Sequence, residues 1–377
     1  MSAPPAAPPS VIEIAEQRPA RPARTLLGMF PEELAALLGD MGQPRYRALQ
    51  VFHWLHQRQE FDLDQMTDLP ASLRQALRSA PPVTPGQVIR TLQSADTLTR
   101  KLLLSLGDSQ EIEAVEMNTR PEGDPEGRKT ICVSSQAGCA MACVFCVTGQ
   151  FGFARNLEAG EIVEQVLRFQ RAGRPVTNVV FMGMGEPMAN YDEVLRAVRL
   201  LTHPEGLHLG ARRITISTSG LVPQIRRLAT EGLQVGLAIS LHAPDDALRS
   251  SLMPVNKRWP IREVLAAADA YASLTGRRVS YEYTLMDGVN DADEQADALA
   301  RLLQGRLAHV NLIPLNPTED PSLRAPSMER ARSFQRRLDR AGMRATVRVN
   351  RGRDILAACG QLRLTERRRN QALAASS

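Results

Sequence analysis

Three of the chain's five cysteines fall at positions 139, 143 and 146, inside GCAMACVFC. Cysteine thiolate is the soft ligand for zinc and for iron–sulfur centres, and three thiols on one short loop can wrap such a group. A structural zinc site is normally closed by four protein ligands. Here no fourth Cys or His lies close: Cys132 sits upstream on a strand-like run, and the next histidine downstream is His203. Three ligands leave one position open, and an open position is where chemistry occurs. Three readings stand beside one another: reduced structural thiols, a zinc ion completed from afar, and a four-iron cluster with one iron unligated by protein. The spacing favours the last.

Four more stretches place polar groups at the ends of apolar runs. FMGMGEPM, from Phe181 to Met188, carries glycines that let backbone approach a ligand, and Gly185 and Glu186 are its candidate binding residues. STSG begins at Ser217, SLH supplies Ser240, Leu241 and His242, and IPLNP supplies Asn316. Ligands of α/β sheets bind at the carboxyl ends of strands, where hydroxyl, imidazole and amide groups suit ribose, carboxylate and adenine edges. Each stretch alone reads as a strand-end turn; their recurrence along one rim argues for a shared pocket.

The elements that must position these groups follow from periodicity. The chain of 377 residues is 43% hydrophobic, 23% charged and only 4% aromatic, an ordinary globular composition. Residues 1–24 are Pro/Ala-rich and are expected to be a disordered tail. From 25 to 86 the pattern is helical: PEELAALLGDMG, PRYRALQVFHWLHQRQ, with Leu49, Phe52 and Leu55 or His56 on one stripe, and LPASLRQAL. Arg45, Arg47, Arg58 and Arg74 on this module read either as solubilising charge or as an RNA-docking face. A β segment around the Gly107-Asp108 turn follows, ending near Glu116. Six apolar runs then alternate with helical stretches, starting at TICVS and ending at HVNLIPL, and read as a parallel α/β sheet. A barrel and an open sheet fit that periodicity equally. The core is expected over 87–345, with a C-terminal segment over 346–377.

C-x3-C-x2-C after the first strand of an α/β repeat, followed one unit later by GMGEP, resembles the radical S-adenosylmethionine enzymes. That resemblance implies a partial (βα)6 barrel, with the helical module and short β extensions added at its N-terminal side. It makes Cys139, Cys143 and Cys146 the ligands of one [4Fe–4S] cluster whose open iron binds S-adenosylmethionine. TICVSSQAGCAMACVFC, GMGEP, ISTSG, AISLHAP, NLIPLNP and DILAACGQL, spread over roughly residues 90 to 365, resemble more narrowly the RlmN family. Its members methylate adenosine C2 in 23S rRNA and in tRNA, using two S-adenosylmethionine molecules per turnover. By that resemblance Cys359 accepts the methyl group, and a radical generated from the second cofactor activates it for addition to C2. Cys132 then resolves the adduct through a disulfide, and either Glu116 or Cys132 removes the C2 proton.

The resemblance also implies a flavodoxin-type electron donor, and a monomer is expected. No apolar run approaches the ~18 residues of a membrane span, and the N-terminal stretch has no signal-like apolar core, so the cytoplasm is expected. The net charge of +5 is compatible with a polyanionic partner. Three other readings stay open: a relative that methylates adenosine C8, a non-enzymatic RNA-binding protein with a zinc or iron–sulfur knuckle, and an electron-transfer protein.

Overall fold

A computed structural model describes residues 24–84, 86–120, 127–171, 175–317, 322–348, 351–358 and 360–362. The expected tail falls, Arg24 apart, outside the described residues, as does Cys359.

The chain begins with α1 (Pro31–Asp40), α2 (Tyr46–His56) and α3 (Ala71–Leu77). Pro31 occupies the first helical position of α1, and Glu33 accepts from the Phe30 N–H at 2.8 Å, closing the helix start. The buried face of α2 is Ala48, Val51, Phe52, Leu55 and His56, while Leu49, expected on the stripe, is exposed. The module's arginines are largely engaged locally: Arg58 lies over the Trp54 ring and pairs with Asp68, and Arg74 donates to the Asp64 carbonyl.

There follow β1 (Gly86–Gln93), β2 (Thr99–Leu106), β3 (Glu111–Asn118), β4 (Lys129–Cys132), β5 (Gln136–Gly138), α4 (Val147–Gln150), β6 (Phe153–Asn156) and α5 (Ala159–Gln170). The repeat continues through β7 (Asn178–Phe181), α6 (Tyr191–Thr202), β8 (Ile214–Thr218), α7 (Val222–Ala229), β9 (Gly236–Ser240), α8 (Asp246–Leu252) and α9 (Ile261–Thr275). It ends with β10 (Val279–Leu285), α10 (Asp293–Leu303), β11 (Ala308–Pro314), α11 (Met328–Arg340) and β12 (Ala345–Val347). Among the described residues ten strands form one sheet, ordered β1-β2-β3-β4-β7-β8-β9-β10-β11-β12. β1 to β4 pair antiparallel; from β4 onward every pairing is parallel. The six expected strands are β4, β7, β8, β9, β10 and β11. The β5–β6 pair, which frames the cysteine loop, carried no periodic signal because its strands are so short.

Strand alternation gives the sheet two chemically different faces. Ile131, Val179, Ile214, Ile216, Leu237, Ile239, Tyr281, Tyr283, Val310 and Leu312 are buried on the helix-covered side, where Tyr283 meets Phe334 of α11. The opposite face carries Thr215, Ser217, Ser240, Glu282, Thr284 and Asn311. Residues from β7 to β11 line one common cavity, so the sheet curls around that polar face. Five neighbouring strands lying flat would spread over ~20 Å.

The C-terminal segment crosses this concave face. Arg351 donates to the Asn118 carbonyl at 2.9 Å, Ala95 N–H to Asp354 at 2.8 Å, and Lys101 Nζ to the Leu356 carbonyl at 3.0 Å. It then returns to the cysteine loop, where Val147 N–H donates to Gly360 O at 2.9 Å and Thr148 Oγ1 to Leu362 O at 2.8 Å.

Candidate active site

Cys139, Cys143 and Cys146 share the wall of a cavity enclosing about 920 Å³ including its open mouth. The loop's shape is fixed at both ends. Gly138 has φ +77°, and a Cβ there would lie 2.1 Å from Gly152 O, so only glycine fits. Cys139 N–H donates to Gly152 O at 2.8 Å, and Val144 N–H to Leu252 O at 3.1 Å, tying the loop to α8. Burial pushes the Cys139 thiol up to about 12 and the Cys143 thiol well above its ordinary range, and the neighbouring sulfurs repel further negative charge. Thiolates at such positions need a strongly positive centre to exist. Among the described residues no three His, Cys, Asp or Glu side chains converge as one metal ion requires. Three sulfurs along a cavity wall instead fit a polynuclear cluster, the donor chemistry of an iron–sulfur centre.

The other rim residues gather on the same cavity: Gly185, Glu186, Ser217, Ser240, His242 and Asn316. Gly185 has φ +99°, and a Cβ there would meet Gln136 Cβ at 2.5 Å, so the close turn excludes any side chain. Glu186 accepts from Met188 N–H at 3.0 Å and Ser219 N–H at 2.7 Å, which aims its carboxylate between two strand ends. Burial raises its pKa despite those donors. His242 Nδ1 accepts from Thr284 N–H at 2.9 Å, leaving the ring proton on Nε2, and burial lowers its pKa to about 3, so the ring is neutral. Phe145 of the cysteine loop packs on that ring at 4.6 Å. Leu241 is placed differently: its side chain is in the core, and it contributes backbone, accepting from Arg249 Nε at 3.1 Å.

Cys132, Glu113 and Glu116 are not on the cavity wall. Cys132 lies in register with Val115 and Val180, in the row that runs from Lys101 to Thr215, so it belongs to the concave polar face. Glu116 lies in register with Ile131, on the helix-covered face. There it pairs with Arg100 at 2.6 Å and Lys129 at 3.4 Å, and Lys129 also donates to Phe169 O of α5. The carboxylate that shares the Cys132 face is Glu113, which the motif reading passed over. Glu113 is 1% exposed, its pKa is raised to about 7 by burial, and Lys101 Nζ at 3.0 Å partly offsets that rise. Strand alternation in EIEAVEM already separates Glu113 from Glu116, but only the pairing with β4 says which face is concave. Arg249 and Glu282 were missed as well; both sit in runs that read as plain helix and strand.

Two family models match the chain. The radical SAM superfamily model covers residues 133–301, and the ribosomal RNA large subunit methyltransferase N-terminal domain model covers residues 24–81. Among curated proteins, the probable dual-specificity RNA methyltransferase RlmN of Symbiobacterium thermophilum is 50% identical, covering 92% of this chain and 92% of that one. The one from Moorella thermoacetica is 47% identical over 91% of this chain and 98% of its own. Among solved structures, a radical SAM methyltransferase from Sphaerobacter thermophilus superposes with a TM-score of 0.86 at 52% identity. It covers 90% of this chain and 99% of that one.

Proposed function

The chain belongs to the RlmN family of radical S-adenosylmethionine methyltransferases, and we propose that it methylates C2 of an adenosine in 23S rRNA and of an adenosine in tRNA. The observation that carries this reading is the convergence of a three-cysteine wall, a rim of ribose- and carboxylate-binding groups, and the C-terminal segment on one cavity. Gly360 is itself on the cavity wall, and the Val147 and Thr148 contacts hold the described residues after position 359 against the cysteine loop.

In this mechanism Cys139, Cys143 and Cys146 would hold the cluster, whose chemistry would be to supply the electron for cleavage of S-adenosylmethionine. Glu186, Ser217, Ser240, His242 and Asn316 orient that cofactor, used twice per turnover. Cys359 would carry the methyl group as a thioether, and that group, once it has given up a hydrogen atom to the cleaved cofactor, would bond through its carbon to the electron-poor C2 of the adenine. Glu113 takes the proton from C2, the role expected of Glu116. Support for the exchange is the shared face with Cys132 and a pKa of about 7, near which a base both accepts and releases protons. Cys132 would then attack the Cys359 sulfur as its bond to the added carbon breaks. That carbon takes up a proton to become the C2 methyl, the one electron left over from the addition returns to the cluster, and an external thiol reduces the Cys132–Cys359 disulfide before the next turnover. A flavodoxin-type donor is the assigned reductant, supported by the exposed apolar side chains Val144, Phe151 and Phe153 around the cysteine loop. The working unit is a monomer in the cytoplasm, where its RNA substrates are.

The test is mass spectrometry of nucleosides from unmodified 23S rRNA and tRNA incubated anaerobically with reconstituted protein, S-adenosylmethionine and a reductant. The expected product is 2-methyladenosine in both RNAs, absent with Cys359→Ala. Production of 8-methyladenosine would assign the C8 reaction instead, and unmodified RNA alongside cleaved cofactor would remove the RNA assignment.

A further inference from the structure

Arg249 of α8 is completely buried, the largest side chain so enclosed among the described residues. Its guanidinium is held by neutral oxygens: Nε donates to Leu241 O at 3.1 Å and Nη1 to Asn256 Oδ1 at 2.7 Å. Nη2 donates to Ser219 O at 2.6 Å and Ser240 O at 2.9 Å. Among the described residues no carboxylate pairs with it directly; Asp246 reaches it only through the amide of Asn256, which donates to Asp246 Oδ1 at 3.0 Å. A cation taken out of water without an anion against it is costly, so the charge must answer something.

What it answers is on the other side of the cavity wall. Ser219 and Ser240, whose carbonyls grip Nη2, line the cavity with the three cysteines. Leu252 and Met253, at the end of the same helix, accept the Val144 N–H and line the cavity respectively. The Ser219 peptide also spans two opposite charges, its N–H on Glu186 and its carbonyl on Arg249. The planar fork of guanidinium donors matches the four oxygens that surround it.

We propose that Arg249 is the fixed counter-charge of the cluster bound by Cys139, Cys143 and Cys146, and that it sets how readily the cluster accepts its electron. The inference rests on the cluster assignment made above. Each electron added makes the thiolate-bound cluster one unit more negative, so a cation locked beside it favours the reduced form. Its rigidity matters too: four oxygens hold the fork in place, and the charge cannot turn away to solvent.

The experiment is an anaerobic redox titration of the reconstituted protein without S-adenosylmethionine, read by electron paramagnetic resonance of the reduced cluster. It compares wild type, Arg249→Gln and Arg249→Lys, with iron content and circular dichroism measured on each. Arg249→Gln should lower the reduced-to-oxidised ratio at least tenfold at fixed potential, a downward shift of 59 mV or more for one electron. Arg249→Lys, which keeps the charge and loses the fork, should stay within that tenfold. A glutamine variant titrating with wild type, or a lysine variant displaced as far as the glutamine one, overturns the proposal and leaves Arg249 a structural clamp. If the glutamine variant does not fold, the lysine result decides by the same criterion. An unshifted potential with weakened S-adenosylmethionine binding would instead assign Arg249 to the cofactor carboxylate. Wild-type protein without iron would mean failure of the cluster reading, a different result from any of these.

Discussion

Glu113 and Glu116 are three residues apart on one strand and face opposite environments. Glu113 points to the concave side with Lys101 and Cys132, beneath the C-terminal segment, and is 1% exposed with a pKa of about 7. Glu116 points to the helix-covered side, where Arg100 and Lys129 meet its carboxylate and Asn118 donates to it at 2.8 Å. Burial beside a cation leaves the Glu113 carboxyl able to exchange a proton near neutrality, while Glu116 is tied into a network of two cations and an amide. The difference teaches that alternation on a pleated strand gives one residue type two environments, and the proposed function assigns the chemistry to the concave one.

The largest expected effect lies outside that pair and sets its scale. Cys139→Ala should abolish iron uptake and the brown absorbance of the cluster, measured by metal analysis after anaerobic reconstitution, and with it all methylation. Next come the two carboxylates. Glu113→Gln should cut the single-turnover methylation rate about 100-fold or more while the fold holds, the scale of losing a general base. Glu116→Gln should destabilise the chain by about 3 kcal/mol in denaturant titration, because it removes the carboxylate that faces the buried Lys129, with a far smaller effect on rate. The reverse pattern, rate lost at 116 and stability at 113, would break the comparison.

The pH dependence sharpens it. A base must be deprotonated, so activity should climb through about pH 7 and level off above it. Lys101→Met removes the charge that opposes the upward shift and should move that limb to higher pH. For stability the sign is opposite. A carboxyl raised from near 4.5 to about 7 favours the folded state below 4.5, and that contribution is lost as pH rises through about 7.

Smaller effects test the walls. Gly185→Ala forces a side chain into a left-handed turn against Gln136 and should cost roughly 1–3 kcal/mol, with weakened S-adenosylmethionine binding by calorimetry. Thr148→Val removes the bond to Leu362 O and should cost about 1 kcal/mol, read as faster proteolysis of the C-terminal segment.

The sequence by itself determined the repeat and the chemistry's ingredients. Apolar runs alternating with amphipathic stretches read as a parallel sheet covered by helices, and three thiols on one short loop favour a soft, cluster-type centre over a zinc ion or plain structural thiols. Gly185 was legible too, as the glycine of a turn at a strand end; the need for glycine at 138 was not, because it comes from the approach of Gly152 O. Tertiary structure alone decided which polar residues meet. Cys132 and Glu113 share a face only because β3 pairs with β4 in one register; a one-residue slip would present Glu116 instead. Arg249 reads locally as an ordinary helical arginine, and its burial behind Ser219 and Ser240 depends on how α8 packs on two strand ends. Leu241, named for its place in SLH, turned out to offer backbone, because alternation sends its side chain to the core. Local pattern fixes periodicity and turn geometry; register and packing, which depend on contacts far apart in sequence, fix the site.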